Sequence, residues 1–598
     1  MTSSRTASLL QGIGIGQGVA VGPVARMAAP LPAPDDAPST LTVEAESARA
    51  QASLGRVARE LEAKGQAAGG AARDVLEAQA MMAEDPTLAD EIASRLADGK
   101  TAEWAVYAAF ASFRDQLAAM GGYLGERAAD LDDVSQRVVA DLLGVPAPGV
   151  PNPGHPFILV ARDLAPADTA LLDLDQVLGL VTSDGGPTSH TAILAREKSI
   201  VAIVGVAAAA DLADGTTLVI DAAAGTVIAD PEAAVVAEAQ QRIADRLAIV
   251  SAPIVPGSLA DGTPVPLLAN LGSADHVDEA VALGAEGVGL FRTEFLFLDQ
   301  ALAPTVEQQR AHYVKLLAAF PGKKVVVRVL DAGADKPLAF LNDAHEDNPA
   351  LGLRGLRALR ASEDILREQL TALAQADAET NADLWVMAPM VSTVEETEYF
   401  VALCREYGLK TPGVMVEVPS SALLADRVLQ HAEFASIGTN DLTQYTLAAD
   451  RLLGSVGAFQ DPWHPAVLRL VQLVGEAGRR SGKPVGICGE AAADPLLAVV
   501  LTGLGATTLS MSPSALADVR HALQQYTAAD AARLAEAALS ADSAAGARAA
   551  ATAAVAAETP AAAHPNTTSE AAPTAAGSLP TSGAASTATD TNLKEATS

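Results

Sequence analysis

The sequence predicts a multidomain α/β protein: a β-rich α/β domain with an inserted α-helical bundle, then a (β/α)8 barrel and a disordered tail. Three observations predict it. Residues 30–144 repeat apolar positions at helical spacing between two groups of short apolar strands. Residues 256–540 alternate such strands with amphipathic helices, whereas residues 541–598 are rich in Ala, Thr, Ser and Pro. Each stretch therefore has the pattern of a different structural class.

Length and composition restrict the class of protein. The chain has 598 residues, enough for about three or four domains of roughly 150 residues each. It carries 73 acidic and 40 basic residues, a formal net charge of −33, so nucleic-acid binding is not expected, because phosphate backbones attract proteins rich in Lys and Arg. Two cysteines cannot form a disulfide framework, and no apolar run is long enough to span a bilayer. We expect a cytoplasmic protein without membrane insertion.

The β-rich domain is assigned to residues 1–29 and 145–230. Its first part contains "LLQGIGIGQGVAVGPVAR", in which small and apolar residues alternate as in a strand or a glycine-permitted loop. These glycines lack the spacing before a helix that a dinucleotide-binding loop requires. Its second part contains the strand candidates "FILVA", "VLGLVTS", "VAIVGV" and "TLVIDA".

The α-helical bundle is assigned to residues 30–144. It follows a proline-rich break and contains helical repeats such as "VLEAQAMMAEDPTLADEIASRL". Because β segments of one domain lie on both sides of it, we expect an insertion that docks a partner. Residues 231–255 are predicted to form a helical linker.

The barrel is assigned to residues 256–540. Its strand candidates are "VPLLANL", "GVGLFRT", "KVVVRVLD", "WVMAPMV", "GVMVEVP", "FASIGTND", "VGICGE" and "TTLSMSP". Eight strand–helix units in this length are typical of a (β/α)8 barrel, with an open doubly wound sheet as the alternative. The tail has too few large apolar residues to offset its chain entropy, so residues 541–598 are predicted to be disordered.

Polar residues accumulate at the carboxyl ends of the predicted barrel strands, where barrels of this type build their active sites. Guanidinium groups match phosphate and carboxylate oxygens, and a carboxylate pair suits Mg²⁺ that keeps water and substrate oxygens as further ligands. Surface ion pairs would explain one such residue but not the same polarity at several strand ends. We therefore predict a site for a small phosphorylated anion with Mg²⁺. Its candidate residues are Arg292, Arg328, Lys336, Arg354, Glu417, Asn440, Asp441, Arg451 and Cys488.

Two candidate residues have more specific chemistry. In "SDGGPTSHTAILAR", a glycine pair permits a tight turn and Thr188–Ser189 can cap a helix that places His190 in its first turn. The imidazole there lies beside free backbone N–H groups that favour an anion, so it can attack phosphorus and carry a phosphoryl group. Cys488 is either a small buried residue or a thiol that exchanges a proton with the substrate, whereas Cys404 is predicted to pack inside a helix. A phosphate site and an acceptor histidine on separate domains require the linker to act as a swivel.

Long motifs in chain order resemble the signatures of enzyme I of the bacterial sugar phosphotransferase system. These motifs are "GGPTSHTAILAR", "GVGLFRTEFLFLD", "VVVRVLDAGADKP", "NPALGLRGLR", "MVEVPSSALLAD", "SIGTNDLTQYTLAADR" and "GICGEAAADP". The resemblance extends from about Gly12 to about Tyr526 and leaves only the tail outside. The β-rich domain is then the swivelling phosphohistidine domain of this family.

The resemblance implies a reaction and a role for each matching residue. Phosphoenolpyruvate binds on Mg²⁺ held by Glu417 and Asp441, and His190 takes the phosphoryl group through Nε2. Cys488 then protonates the enolate to give pyruvate, and the phosphohistidine passes its group to the carrier protein HPr, which docks on the helical bundle. The family dimerises through its barrel, so a homodimer is expected. The remaining assignments are Arg292, Arg328 and Lys336 to the phosphate, Asn440, Asp441 and Arg451 to substrate binding, and Arg354 nearby.

Two related functions remain as alternatives. Pyruvate phosphate dikinase and phosphoenolpyruvate synthase pair a phosphohistidine with a similar barrel, but they add a nucleotide-binding domain, and no Gly-rich ATP loop is visible in this sequence. A regulatory, nitrogen-related paralogue of enzyme I would use the same residues. A catalytically silent scaffold is disfavoured, because every reacting position is filled.

Overall fold

A computed structural model of the protein describes most of residues 8–556. The positions outside the description are 1–7, 17, 29–30, 69, 121, 146, 165–171, 187–188, 198–199, 299–301, 333–337, 339, 342–345, 452 and 557–598. The predicted disordered tail therefore lies, from residue 557 onward, outside the described residues. No helix in the described part of the chain is both long and apolar enough to cross a membrane.

The first unit contains an eight-stranded sheet and the helix that begins at His190. Its strands are β1 Ser8–Gln11, β2 Ile13–Ile15, β3 Val19–Arg26, β4 Phe157–Ala161, β5 Val177–Thr182, β6 Ala202–Val204, β7 Thr217–Asp221 and β8 Thr226–Ala229. Their spatial order is β1-β8-β7-β3-β4-β5-β6-β2. The helix His190–Glu197 follows β5 and packs Ala192 and Ala195 against apolar side chains of this sheet. The glycine-rich N-terminal stretch thus forms strands instead of a loop.

A five-helix bundle is inserted between β3 and β4. These two strands pair directly in parallel, so the chain leaves the sheet, builds the bundle and returns to the adjacent position. The bundle core is made of side chains such as Leu61, Leu76 and Phe110. The helices span Val43–Ala68, Gly70–Ala83, Pro86–Ala97, Ala102–Met120 and Gly122–Leu143.

A single helix, Ala233–Val250, connects the sheet to the barrel. Two arginines in its second half pair with the units on either side. Arg242 pairs with Asp221 of β7 at 2.7 Å, and Arg246 pairs with Asp518 of a barrel helix at 3.2 Å. The predicted linker is therefore helical and contacts the units on both sides.

Eight parallel strands close into a barrel, which confirms the predicted fold class and excludes the open sheet. The strands are β9 Leu267–Leu271, β10 Val288–Arg292, β11 Lys324–Arg328, β12 Asp383–Ala388, β13 Pro412–Val416, β14 Ala435–Ile437, β15 Val485–Ile487 and β16 Thr508–Met511. Each lies within or overlaps its predicted segment, and β16 pairs with β9 to complete the circle. The barrel helices are Val277–Ala282, Glu294–Phe297, Val306–Ala318, Leu356–Ala361, Glu363–Glu379, Val394–Glu406, Pro419–Leu423, Ala425–His431, Thr439–Leu447, Pro465–Ser481, Pro495–Gly503, Leu516–Leu523 and Ala528–Leu539.

The barrel interior is filled in layers, because alternate residues of each strand point inward. An apolar layer of buried side chains lines the interior, from Phe434 just before β14 to Cys488 just after β15. Its other members are Leu290, Val326, Met387 and Met415. At the amino-terminal end of the strands, the Lys324 ammonium lies 3.7 Å from the ring centre of Trp385 and 5.6 Å from that of Phe434. The arginines and carboxylates of the predicted site follow the strands at the opposite, carboxyl end.

The structure corrects the start of the tail. Residues 541–598 were assigned to disorder by composition, but Ala544–Ala556 forms a helix. Ala547 and Ala551 are fully buried against the helix Ala528–Leu539, and Arg548 pairs with Asp494 at 3.1 Å. Alanine has the highest helix propensity and allows close helix packing, so a segment without large side chains still docks.

Replacing Ala551 with glutamate should release this helix. A buried carboxylate without a partner costs about 1–3 kcal/mol, so thermal unfolding should shift down and proteolysis near residue 544 should accelerate. Ala553→Glu is the matched control, because Ala553 is exposed on the same helix. Equal effects of the two substitutions would contradict the packed helix.

Candidate active site

Polar side chains converge at the carboxyl end of the barrel, as the strand-end pattern predicts. Each comes from the last residues of a strand or from the loop or helix that follows. Because neighbouring parallel strands end at the same rim, residues distant in sequence become neighbours. The described residues of this cluster are Arg292, Glu294, Arg328, Asp331, Arg354, Glu417, Asn440, Asp441, Arg451 and Cys488. Lys336 lies outside the described residues.

Arg328 is the buried cation at the end of β11. Its guanidinium donates to the Glu294 carboxylate and pairs with Asp331 at 3.0 Å. Burial disfavours the charge, but three surrounding carboxylates outweigh that cost and raise the pKa of Arg328. Arg328 is therefore permanently charged and held in one orientation.

Arg354 joins two strands through carboxylates. It donates to Asp331 at 3.1 Å and to Asp441 at 3.0 Å, and it is as buried as its partners. Tyr445, one turn after Asp441 on the same helix, accepts from the same guanidinium at 3.1 Å. Burial opposes ionisation of Asp331, but Arg328 and Arg354 outweigh it and lower its pKa. The ends of β11 and β14 are thus connected by a buried ion-pair chain.

Glu417 ends β13 and is almost completely buried. Its Oε1 accepts a hydrogen bond from the Met390 backbone N–H at 2.6 Å, and Met390 has a φ of +54°. Few non-glycine residues adopt this left-handed conformation, so the N–H is aimed at the carboxylate at a cost in backbone strain. Burial, followed by the negative charges of Asp441 and Asp331, raises the pKa of Glu417 to about 8.

The carboxylates fit a hard divalent cation. Burial and the neighbouring negative charges of Asp441 and Asp331 raise the pKa of Glu417, and a divalent cation would compensate those charges. Oδ1 of Asp331 is also buried without a hydrogen-bond partner among the described residues. No group of three or more His, Cys, Asp or Glu in the described part could hold a metal by itself. A cation on Glu417 and Asp441 would therefore take its remaining ligands from substrate and water, which is the usual way that Mg²⁺ binds.

Arg292 and Arg451 are the more accessible cations of the site. Arg292 ends β10 and makes no ion pair with a described residue, whereas Arg451 pairs with Asp441 at 3.4 Å. Desolvation of the guanidinium lowers the pKa of Arg292, and the positive charges of Arg328 and Arg451 lower it further. The negative charge of Glu294 offsets part of this shift. An anion placed among these guanidinium groups would relieve their repulsion.

Asn440 lies in the helix that follows β14, and Cys488 directly follows β15. The Asn440 carbonyl oxygen accepts from the Glu490 N–H at 3.0 Å, so this side chain ties two loops together. The Cys488 thiol lies 3.6 Å from the Ile437 carbonyl within the apolar layer, and burial raises its pKa to about 11. It stays protonated near neutral pH. Cys404 is buried within its helix, as predicted.

His190 is the first residue of the helix that follows β5. Ser189 caps this helix by accepting from the Ala192 N–H at 3.3 Å, which agrees with the predicted cap. The next residue, Thr191, is buried and donates to Asp163 at 2.7 Å. The backbone at His190 is thus fixed at the amino terminus of a helix, where free N–H groups favour an anion.

Sequence reasoning did not identify two contributors to the site. Met390 acts through its backbone N–H, which leaves no pattern in the sequence. Tyr445 lies four residues after Asp441, so helical spacing was an available signal.

Comparison with known proteins identifies related domains in chain order. The family "PEP-utilising enzyme, N-terminal" matches residues 11–127, and "PEP-utilising enzyme, mobile domain" matches residues 153–225. The family "PEP-utilising enzyme, PEP-binding domain" matches residues 251–528, which contain the barrel and the ion-pair cluster.

Whole-chain relatives agree with these matches. A phosphoenolpyruvate-protein phosphotransferase of Streptomyces coelicolor is 53% identical over 88% of this chain and 96% of its own length. One of Bacillus subtilis is 37% identical over 89% of this chain and 96% of its own length. A solution structure titled Enzyme I (nEIt) covers 40% of this chain and 99% of its own, at 29% identity and a TM-score of 0.36. The 53% identity over 88% of the chain shows that it belongs to the phosphoenolpyruvate-protein phosphotransferases, the enzyme I family of the phosphotransferase system.

Proposed function

We propose that phosphoenolpyruvate phosphorylates His190 with release of pyruvate, and that His190 then passes the phosphoryl group to the histidine of HPr, the first step of sugar uptake. The observation that carries the proposal is the buried chain Arg328–Asp331–Arg354–Asp441 with Glu417 beside it. This arrangement balances fixed positive and negative charge at one rim of the barrel. A phosphorylated carboxylate with a divalent cation has the complementary charges.

The arginines bind and orient the substrate. Arg328 has its orientation set by Glu294 and Asp331, and Arg292 is accessible to an incoming anion. We assign both, with Lys336, to the phosphate, because guanidinium forks match its oxygens. Arg451 and Asn440 are assigned to the carboxylate end, and Arg354 holds Asp441 in place beside them.

Glu417 and Asp441 are the proposed ligands of Mg²⁺. When bound, the ion neutralises charge on the phosphate and the enolate oxygen. Met390 positions the Glu417 carboxylate, and Arg354 positions that of Asp441. These contacts orient both carboxylates before any substrate arrives.

The transfer itself moves one phosphoryl group and one proton. The phosphorus–oxygen bond of phosphoenolpyruvate breaks as the bond to Nε2 of His190 forms, so catalysis consists mainly of positioning and charge balance. The resulting enolate accepts a proton at carbon from the Cys488 thiol, which is protonated at neutral pH. The thiolate then regains a proton from solvent.

The other units have matching roles in this proposal. Residues 1–29 and 145–230 form the phosphohistidine domain, which swivels on the linker 231–255 between barrel and carrier. The bundle of residues 30–144 binds HPr, and residues 256–540 bind substrate and form the homodimer. We place the protein in the cytoplasm, where its carrier would be found.

Metal binding should depend on pH through Glu417. With a pKa of about 8 before metal binds, this carboxyl is mostly protonated at pH 7 and mostly ionised at pH 9. The proton must leave first, so Mg²⁺ should bind about tenfold more weakly at pH 7 than at pH 9. Titration calorimetry in two buffers of different ionisation enthalpy measures both affinity and proton release. A Glu417→Gln variant should lose this pH dependence, and an unchanged dependence would assign the proton elsewhere.

Transfer to HPr tests the proposed function as a whole. The protein, labelled phosphoenolpyruvate and Mg²⁺ should pass label to purified HPr without any nucleotide. A requirement for ATP would favour a dikinase-like enzyme instead. Absence of transfer despite a labelled protein would remove HPr as the partner and favour the nitrogen-related paralogue with another carrier.

A further inference from the structure

Asn270, at the carboxyl end of β9, connects the three strands at which the barrel closes. Its Nδ2 donates to the carbonyl oxygen of Cys488 at 3.0 Å and to that of Ser510 at 3.3 Å, and its Oδ1 accepts from the Ser510 hydroxyl at 2.6 Å. Both amide hydrogens are therefore used within the barrel wall. We propose that Asn270 is a positioning residue for Cys488, holding the peptide that carries the proton-donating thiol. The inference rests on the proposed acid role of Cys488.

The strand pattern explains why Cys488 needs this support. The regular pairing of β15 ends at Ile487, which faces Ile437 on one side and Leu509 on the other. The Cys488 N–H still donates to the Ile437 carbonyl at 3.0 Å, but on the other side the ladder has ended. The Asn270 amide supplies the donor that the Cys488 carbonyl would otherwise lack.

The surroundings of the thiol make its position depend on its backbone. The thiol belongs to a cluster of apolar side chains, and its directional contact to the Ile437 carbonyl is long, at 3.6 Å. The next residue is Gly489, where a Cβ atom would lie only 1.9 Å from the Thr439 hydroxyl. The peptide after Cys488 is thus held by Asn270 on one side and by close packing on the other.

Proton delivery to carbon is more sensitive to this position than phosphoryl transfer is. The first step breaks the phosphorus–oxygen bond and depends on the arginine cluster. The second step forms a carbon–hydrogen bond on one face of the enolate as the sulfur–hydrogen bond breaks. A shift of about 1 Å in the donor can reduce such a rate about a hundredfold. Loss of Asn270 should therefore separate the two steps.

The test compares Asn270→Ala and Asn270→Asp with the unaltered protein. Labelling of His190 by phosphoenolpyruvate in a single turnover should stay within about threefold, since the phosphate contacts remain. In D₂O, with substrate stereospecifically labelled at its methylene carbon, the facial selectivity of pyruvate formation should fall at least about tenfold. Asn270→Asp keeps the size of the side chain but turns an oxygen toward the two carbonyls. Ser510→Ala removes one hydroxyl, leaves both amide donations and should have a smaller effect.

A double variant distinguishes a positioning role from an independent one. If Asn270 acts through Cys488, Asn270→Ala should cause no further loss of selectivity in the Cys488→Ala background. The inference would be overturned if the losses of selectivity from the two substitutions multiplied in the double variant. It would also be overturned if the Asn270 variants lost His190 labelling together with selectivity. Full selectivity in Cys488→Ala would overturn both the inference and the acid role. If Cys488→Ala lost selectivity and the Asn270 variants kept it, the positioning role of Asn270 would be overturned and the acid role of Cys488 would stand.

Discussion

Replacing His190 with alanine is expected to abolish the acid-labile, base-stable label that the chain acquires from phosphoenolpyruvate and Mg²⁺. An imidazole can carry a phosphoryl group through nitrogen, whereas the neighbouring Ser189 and Thr191 cannot, and the helix itself does not require the imidazole, because Ser189 provides the cap. Labelling should fall at least about a thousandfold. Measurement of protein-bound label after base treatment separates phosphohistidine from phosphoserine.

His155→Ala is the control for this result. His155 lies exposed in the same domain, and its ring contacts only the neighbouring Pro156 carbonyl at 3.0 Å among the described residues. It should label at the normal rate. Label that persists in His190→Ala would show that another residue is the nucleophile, and peptide mapping would locate it.

Replacing Arg354 with methionine should be the most damaging change in the barrel. It would leave Asp331 and Asp441 buried near Glu417 without the cation that pairs with both. Removal of one partner from a buried ion pair costs about 3–5 kcal/mol, so the variant should unfold at a much lower temperature. Asp441 would also lose its orientation, so label transfer to His190 should decline at least about a hundredfold.

Two further variants separate charge from geometry. Arg360→Met removes an exposed cation six residues later, which lies over the Tyr399 ring, and should cost less than about 1 kcal/mol. Arg354→Lys keeps the charge but cannot donate to both aspartates through a planar fork, so it should retain stability better than activity. Equal thermal shifts for Arg354→Met and Arg360→Met would mean that the buried chain contributes little.

The barrel could be predicted from the sequence because its signals are local. Short apolar runs bounded by glycine and proline mark each strand, and the polar residue after each run marks the rim where the strands end. These two patterns together place Glu417 and Asp441 on one rim. The helix Ala544–Ala556 was missed because composition measures large apolar side chains, whereas this helix docks through alanine.

The sequence did not indicate which of the predicted site residues pair with each other. The sequence places four arginines and several carboxylates at the rim, but nothing local indicates that Arg328 pairs with Glu294 or that Arg354 bridges two aspartates. The left-handed backbone at Met390 depends on tertiary packing and has no propensity signal. The hydrogen bond from the Glu490 N–H to the Asn440 side-chain oxygen also had no signal in the sequence.

The filled interior of the barrel has a kinetic consequence. Because the described interior beneath the arginine cluster is filled by an apolar layer, with Lys324 over Trp385 at the amino end, we expect substrate to enter at the carboxyl end. Substrate and product must use the same opening. Pyruvate should therefore inhibit by competing with phosphoenolpyruvate for the dephosphorylated protein, whereas the proposed phosphohistidine intermediate should give ping-pong kinetics.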